Sequence, residues 1–223
     1  MNDDRAAQLQ AIANEIAHCT ACPLHRSRTR TVPGEGPADA AIMFLGEAPG
    51  QREDELGRPF VGRSGDLLEL WLAEIGLDRA SVFIGNIVKC RPPGNRDPEP
   101  AEIAACAHFI DRQLALVRPR LLATLGRHSM QKFFPGGKIT RLHGIRGVRR
   151  EGDRVYLPLF HPAYVLRNDQ AAPDALADIR LVPRLLSRLE QRLAEERATP
   201  PDRLAPAAPA DEPDPQQLSL FES

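Results

Sequence analysis

The chain has 223 residues, room for one domain of ordinary size and enough to bury a core. Lys and Arg number 29 against 30 Asp and Glu, so the net charge is −1; bulk electrostatics names no partner, and any nucleic-acid site has to be a local basic patch. With 42% hydrophobic residues the chain is globular rather than disordered, and no apolar run approaches the ~18 residues of a membrane span.

The first stretch, MNDDRAAQLQ, is acidic and polar and has no apolar core of the signal-peptide kind, so a cytoplasmic protein is expected. Residues 5–18 read as a helix. A C-x2-C pair follows, Cys19 and Cys22, with Cys90 and Cys106 further along. With no export signal, a disulfide framework is not expected. The pair at the start of a loop lets two thiolates aim at one centre, which Cys90 and Cys106 could complete. Zinc and an iron–sulfur cluster both accept four thiolates. The 15 residues separating Cys90 from Cys106 lean toward a cluster, because structural zinc sites more often show two C-x2-C pairs.

Residues 40–47 (AAIMFLGE) read as a buried strand ending in a glycine-rich loop. Residues 64–75 read as a helix with Ser64 as N-cap and Leu67, Leu68, Trp71, Leu72 and Ile75 on one face. A strand is expected at 81–87 and a helix at 100–117, opened by proline and acid. A strand at 120–125 precedes a short helix from Arg127, then a hairpin over 139–148, a strand over 155–160 and one long helix over 174–193. From about 197 the composition changes. Six of the 16 residues from Pro200 to Pro215 are proline, so this stretch reads as a disordered, semi-extended linker. The expected division is a domain over 1–195, a Pro/Ala-rich linker over 196–216 and a short apolar peptide at 217–221.

Strands alternating with helices imply a mostly parallel sheet covered on both faces, whose ligand sits beyond the carboxyl ends of the strands. Three loops lie there: GEAPGQRED (46–54), GNIVKCRPPGN (85–95) and FHPAYVLRN (160–168). Glu47, Glu53 and Asp54 could position a water. Phe60, in the glycine-rich run PFVGRSG, is either a core residue or a platform for a planar ligand. The amide of Asn86 matches the edge of an amide-like heterocycle. His161, held by Pro162, could donate to a developing oxyanion.

Together, GEAPGQRED, PFVGRSG, GNIVKCRPPGNRDP, HPAYVLRN and the four interleaved cysteines closely resemble the family 4, iron–sulfur, uracil-DNA glycosylases. The resemblance runs from about Cys19 to Arg180. It implies a three-layer α/β/α sandwich on a short, mostly parallel sheet. It also implies hydrolysis of the N-glycosidic bond of deoxyuridine in DNA, leaving an abasic site, with the base flipped out of the stack. On this reading Phe60 stacks on uracil, Asn86 pairs with O4 and N3–H, and His161 bonds O2. The Glu47–Gly50 loop, Ala48 included, excludes the thymine methyl. Glu53 is the first candidate to orient water, with Asn95 as its hydrogen-bond partner, and Glu47 the second. Tyr164, Val165 and Leu166 are the expected wedge, Arg167, Arg63 and Ser64 the expected phosphate contacts, and Arg141, Arg146, Arg149 and Arg150 a basic rim. Cys19, Cys22, Cys90 and Cys106 match the ligands of a [4Fe–4S] cluster, zinc being the alternative. The rival readings are a non-catalytic DNA-binding module of the same fold and a glycosylase for hypoxanthine or xanthine. A monomer acting on uracil-containing DNA is expected. Gln217, Leu218, Leu220 and Phe221, within QLSLF, resemble the peptide by which bacterial replication and repair proteins bind the sliding clamp.

Overall fold

In the computed structural model, residues 2–198 are described. Of the expected linker over 196–216, residues 196–198 instead close the last helix; the remainder and the clamp-like peptide at 217–221 lie outside the described residues. Residues 1–190 form one compact unit.

A five-stranded sheet, order β2-β1-β3-β5-β4, organises that unit. Its strands are β1 (Ile42–Gly46), β2 (Phe83–Asn86), β3 (Leu121–Leu125), β4 (Arg149–Glu151) and β5 (Arg154–Leu159). β1 pairs in parallel with β2 and β3, β3 in parallel with β5, and β4 closes the edge antiparallel to β5. Every residue of β1, β2 and β3 is buried, as a sheet covered on both faces demands. On one face Met43, Leu45, Phe83, Leu122 and Tyr156 pack with Ile110, Leu114 and Val117 of α4 (Pro100–Val117). α4 starts at Pro100 behind a reciprocal cap between Glu99 and Glu102. α1 (Asn2–His18) lies against α4 through Ile12, Ile16, Cys106 and Phe109.

The loops beyond the strand ends carry more helix than the sequence suggests. α2 (Gln51–Leu56) begins inside the first and runs past it, between Gly50 and a left-handed Gly57. α3 (Arg63–Glu74) starts one residue earlier than expected, and its N-cap is Gly62, not Ser64. α5 (Arg127–Gln131) follows β3. Residues 139–148 are not a hairpin. They form α6 (Ile139–Leu142) and a 3-10 turn over Gly144–Gly147. Gly147 sits so close beneath Leu142 that a Cβ there would lie 1.9 Å from the Leu142 carbonyl oxygen. The hairpin is the next pair, β4 and β5. α7 (Pro162–Val165) sits inside the third loop. The expected long last helix is two, α8 (Ala172–Ile179) and α9 (Leu181–Ala198). Pro183 explains the break: it has no N–H for the carbonyl of residue 179, and its ring crowds that carbonyl.

Candidate active site

A cleft of about 790 Å³ opens beyond the carboxyl ends of β1, β2, β3 and β5. Glu47, Ala48, Glu53, Phe60, Asn86, Asn95 and His161 all line it, as do Arg63, Ser64, Tyr164 and Arg167. Glu47 and Arg167, 120 positions apart in the chain, therefore meet at one site, because the parallel register brings Gly46 of β1 level with Asn86 of β2. The ladder continues past the strands: Ile87 and Val88 donate their N–H groups to the carbonyls of Gly46 and Glu47, both at 3.0 Å. This holds the first two loops side by side.

Asn86 is 2% exposed, and its Oδ1 has no hydrogen-bond partner. A buried acceptor left unmade costs about 1–3 kcal/mol, so the amide is set for a ligand that brings a donor. Gly46 leaves room for it. A Cβ there would lie 2.4 Å from Asn86 Oδ1 and 2.6 Å from the Phe60 ring. Phe60 has a left-handed backbone, φ +51°, and its ring stacks with His161 at 5.7 Å between centroids. Such a conformation costs a bulky residue about 1–3 kcal/mol and persists only where its surroundings impose it. They do so here from both sides. Arg79 donates to the carbonyls of Pro59 (2.6 Å) and Phe60 (2.7 Å), and Glu53 Oε1 accepts from the N–H groups of Val61 (2.8 Å) and Gly62 (2.9 Å).

His161 Nδ1 accepts from the N–H of Ala163 at 3.0 Å, so the neutral ring carries its proton on Nε2. Its removal from bulk water, aided by the nearby Arg167 charge, pushes its pKa down to about 4. The ring is neutral at ordinary pH. Gly126, at φ +87°, lets the end of β3 pass His161, since a Cβ would fall 2.9 Å from the histidine Cβ.

The two glutamates differ. Glu53 lies on the cleft wall but commits Oε1 to two backbone donors, which fastens the turn that carries Phe60. Glu47 is pushed up to about 7, first by burial and then by repulsion from Asp97, with Arg127 pulling the other way. Its Oε2 is 3.8 Å from His128 Nε2, which is 3.6 Å from Asp97 Oδ2 and accepts from Arg127 Nε at 3.0 Å. Asp97, Arg127 and His128 were not singled out in the sequence. Arg127 and His128 sit just past β3, so the rule that directs attention to strand ends could have found them. Asn95, expected beside Glu53, instead accepts from Arg91 Nε at 2.7 Å.

At the mouth, Tyr164 (37% exposed) and Leu166 (36%) project from α7 and just after it, whereas Val165 is buried at 5% and is no wedge. Arg63 and Arg167 are exposed at the rim. Arg149 belongs to the fold rather than to a basic rim. Its guanidinium lies over Phe134 and Tyr156, donates to the carbonyl of Phe133 and pairs with Glu151.

The cysteines gather elsewhere, around a cavity of about 10 Å³ behind β2. Cys19 and Cys22 come from the turn after α1, Cys90 from the loop beyond Asn86, and Cys106 from α4; none is in a disulfide. Arg28 Nη1 donates to Cys90 Sγ at 3.1 Å, and the Lys89 N–H donates to Cys106 Sγ at 3.3 Å. Lys89 itself is 1% exposed, donates from Nζ to Gln113 Oε1 at 2.7 Å, and is lowered to about 8 by burial. Four sulfurs with N–H donors and two cations around them, and with His25 on the same wall engaging the Cys22 carbonyl through Nδ1, fit a soft thiolate-bound centre whose charge needs offsetting. Burial pushes the bare thiol of Cys106 up to about 11, which a bound metal would reverse. Among the described residues no helix is long and apolar enough to cross a membrane.

A family model described as "UDG: Uracil DNA glycosylase superfamily" matches residues 33–181, more than half of the chain. A type-4 uracil-DNA glycosylase of Thermotoga maritima is 45% identical over 166 residues, 74% of this chain and 86% of that protein. The type-4 uracil-DNA glycosylases of Saccharolobus solfataricus and Archaeoglobus fulgidus are 44% and 40% identical, over 80% and 83% of this chain and 87% and 96% of theirs.

Proposed function

The chain belongs to the uracil DNA glycosylase superfamily, among relatives of type 4, and from that premise we propose how its cleft releases uracil from DNA. The reaction is hydrolysis of the bond between N1 of uracil and C1′ of the sugar, leaving an abasic site. The observation that carries the reading is the orphaned Oδ1 of Asn86. Uracil offers it N3–H and offers the amide N–H its O4. Cytosine brings a lone pair at N3 and an amino group at position 4, so both contacts fail. Phe60 stacks on the flipped ring. Ala48, in the turn after Glu47, stands against C5 and excludes thymine.

As the bond breaks, its electron pair passes to the base. The Nε2–H of His161 bonds O2 of the uracil anion; a neutral donor suits this step because it stabilises the charge without first taking a proton. The sugar becomes an oxocarbenium-like cation. Glu47 faces it as a carboxylate, orients the attacking water and accepts its proton. We assign this role to Glu47 over Glu53 because Glu53 is tied to the Phe60 turn. The uracil anion recovers a proton from solvent. Tyr164 and Leu166 fill the gap left by the flipped base, and Arg63, Ser64 and Arg167 bind phosphates.

Cys19, Cys22, Cys90 and Cys106 hold a [4Fe–4S] cluster in this reading, with zinc as the rival. The type-4 names of the relatives and the all-sulfur donor set support it. When bound, the group cross-links α1, the loop after Asn86 and α4; glycosidic hydrolysis moves no electron, so its part is structural. The apolar tail QLSLF binds a sliding clamp, supported by three large apolar side chains in a short run behind a proline-rich stretch. Deleting residues 216–223 should abolish capture on immobilised clamp and leave excision from short oligonucleotides intact; equal capture would refute the assignment.

The deciding experiment offers oligonucleotides containing U, T, hypoxanthine or xanthine, followed by alkaline cleavage. Strand breaks at U alone are expected. Cleavage at hypoxanthine or xanthine in preference to U would overturn the substrate, and no cleavage at all would favour the DNA-binding module.

A further inference from the structure

Phe60 is fixed by a group that lies outside the cleft. Arg79 follows α3, 19 residues beyond Phe60, and is not among the residues that line the cavity. Its side chain is mostly buried, and its fork is fully engaged. Nη1 donates to the Phe60 carbonyl, Nη2 to the Pro59 carbonyl and Nε to Glu35 Oε1 at 3.0 Å. Glu35 also takes the Nη2 of Arg79 and the guanidinium of Arg58, and so is itself held from two sides. The pull of both arginines keeps its carboxyl below the usual range despite burial. Glu35 is anchored in turn by a backbone bridge to Ile84 of β2, and the arginine it holds grips two successive carbonyls. What they share is the left-handed turn at Phe60, whose ring packs over Gly46 and His161.

We propose that Arg79, braced by Glu35, is a positioning residue that holds the Phe60 ring at the height a flipped pyrimidine needs. The proposal rests on the stacking reading of Phe60. Arginine suits the role because only a planar fork reaches two adjacent carbonyls and a carboxylate at once; a lysine ammonium has neither the span nor the plane. Residues 59–62 are thus gripped on their carbonyls by Arg79 and on their N–H groups by Glu53, and the ring between them has one place to go. A base-binding wall built this way is shaped before the base arrives, and its tightness is set by residues the base never touches.

The test is a mutant cycle between Arg79 and Phe60, read by inhibition with free uracil and by single-turnover excision, with melting temperature and iron content as controls. Arg79→Gln should weaken uracil inhibition and slow excision by about tenfold, as loosened positioning does. Arg79→Lys should recover little of this. Adding Arg79→Gln to Phe60→Ala should change neither readout further, because the ring it positions is gone. Glu35→Gln keeps the arginine and should move both readouts the same way by less. If Arg79→Gln does not fold, the same cycle with Glu35→Gln decides the matter. Wild-type uracil inhibition in Arg79→Gln overturns the proposal, as does an Arg79 effect that multiplies with that of Phe60→Ala. If Phe60→Ala alone leaves uracil inhibition unchanged, the stacking reading falls and the proposal falls with it.

Discussion

Two pockets share one strap of chain. Asn86 closes the floor of the cleft, and four residues later Cys90 enters the cysteine pocket. Between them Lys89 is buried against Gln113, which in turn donates to the Pro33 carbonyl. The cleft is wide, about 790 Å³, and carries the features that cost stability: an unpartnered amide oxygen, a left-handed phenylalanine and a carboxyl raised to about 7. The cysteine pocket is small, about 10 Å³, and among the described residues none of its lining side chains leaves a buried nitrogen or oxygen without a hydrogen-bond partner. The difference separates binding from bracing. Groups meant for a ligand that comes and goes are left unpaired, whereas groups meant for a resident centre are wrapped by donors and packed helices.

Substitutions should divide along the same line. The largest effect belongs to the cleft. His161→Ala removes the donor to the departing base and should lower the single-turnover rate by about 10²–10³, the range seen for one oxyanion donor. Iron content and melting temperature should stay at wild-type values. A rate within threefold of wild type would break the comparison at its stronger end. Cys90→Ala should do the reverse. The protein should lose its brown colour and much of its thermal stability, while molecules still folded at low temperature excise uracil at a rate close to wild type. A colourless wild-type protein holding one zinc would remove the cluster from the account; a Cys90→Ala protein of full stability would remove the bracing role.

Between these lies the choice of carboxylate. Glu47→Gln should reduce excision by about a hundredfold, within the usual share of an oriented acid–base group. Glu53→Gln keeps one acceptor oxygen for the N–H groups of Val61 and Gly62 and should cost about tenfold or less, with weaker uracil inhibition as its signature. Equal losses with unchanged inhibition would return the catalytic role to Glu53.

Much of this was legible before any coordinates. The four parallel strands could be read because they are mostly apolar runs, whereas β4, Arg149–Glu151, has no apolar residue and was not foreseen; α4 could be read because Pro100 and Glu102 mark its start. That Glu47, Asn86 and His161 would line one cleft could be read because strand ends in a parallel sheet converge, and Phe60 joins them from the turn before α3. Over residues 139–148 the apolar residues Ile139, Leu142, Ile145 and Val148 fall at every third position, which fits the short helix and 3-10 turn found there and not the expected hairpin. The rest was hidden for physical reasons. Nothing local distinguishes Glu53 from Glu47, because what separates them is which one meets the N–H groups of Val61 and Gly62. Arg79, Asp97 and His128 act through partners 19 to 81 positions away in sequence, and no periodicity records such distances.

The smallest effect, and the most specific, concerns the setting of Glu47. Its carboxyl sits at about 7 through burial and the repulsion of Asp97, with Arg127 opposing. A carboxylate that faces a sugar cation must be charged, so kcat/KM of the free enzyme should fall as pH drops through about 7. His161 does not shape this limb, since it stays neutral down to about 4. His128, the other titratable neighbour, is shifted below its ordinary value by burial and the Arg127 charge. Asp97→Asn removes the repelling charge and releases Arg127 from its ion pair; both changes favour ionised Glu47. The acid limb should move to lower pH, with excision at pH 6 rising about threefold relative to pH 8. Arg127→Gln should move the limb the other way. The two variants touch the same ion pair, so a merely structural disturbance would shift both profiles alike, whereas control of the Glu47 charge shifts them apart. Matching pH–rate profiles in the two variants would show that the acid limb belongs to another group.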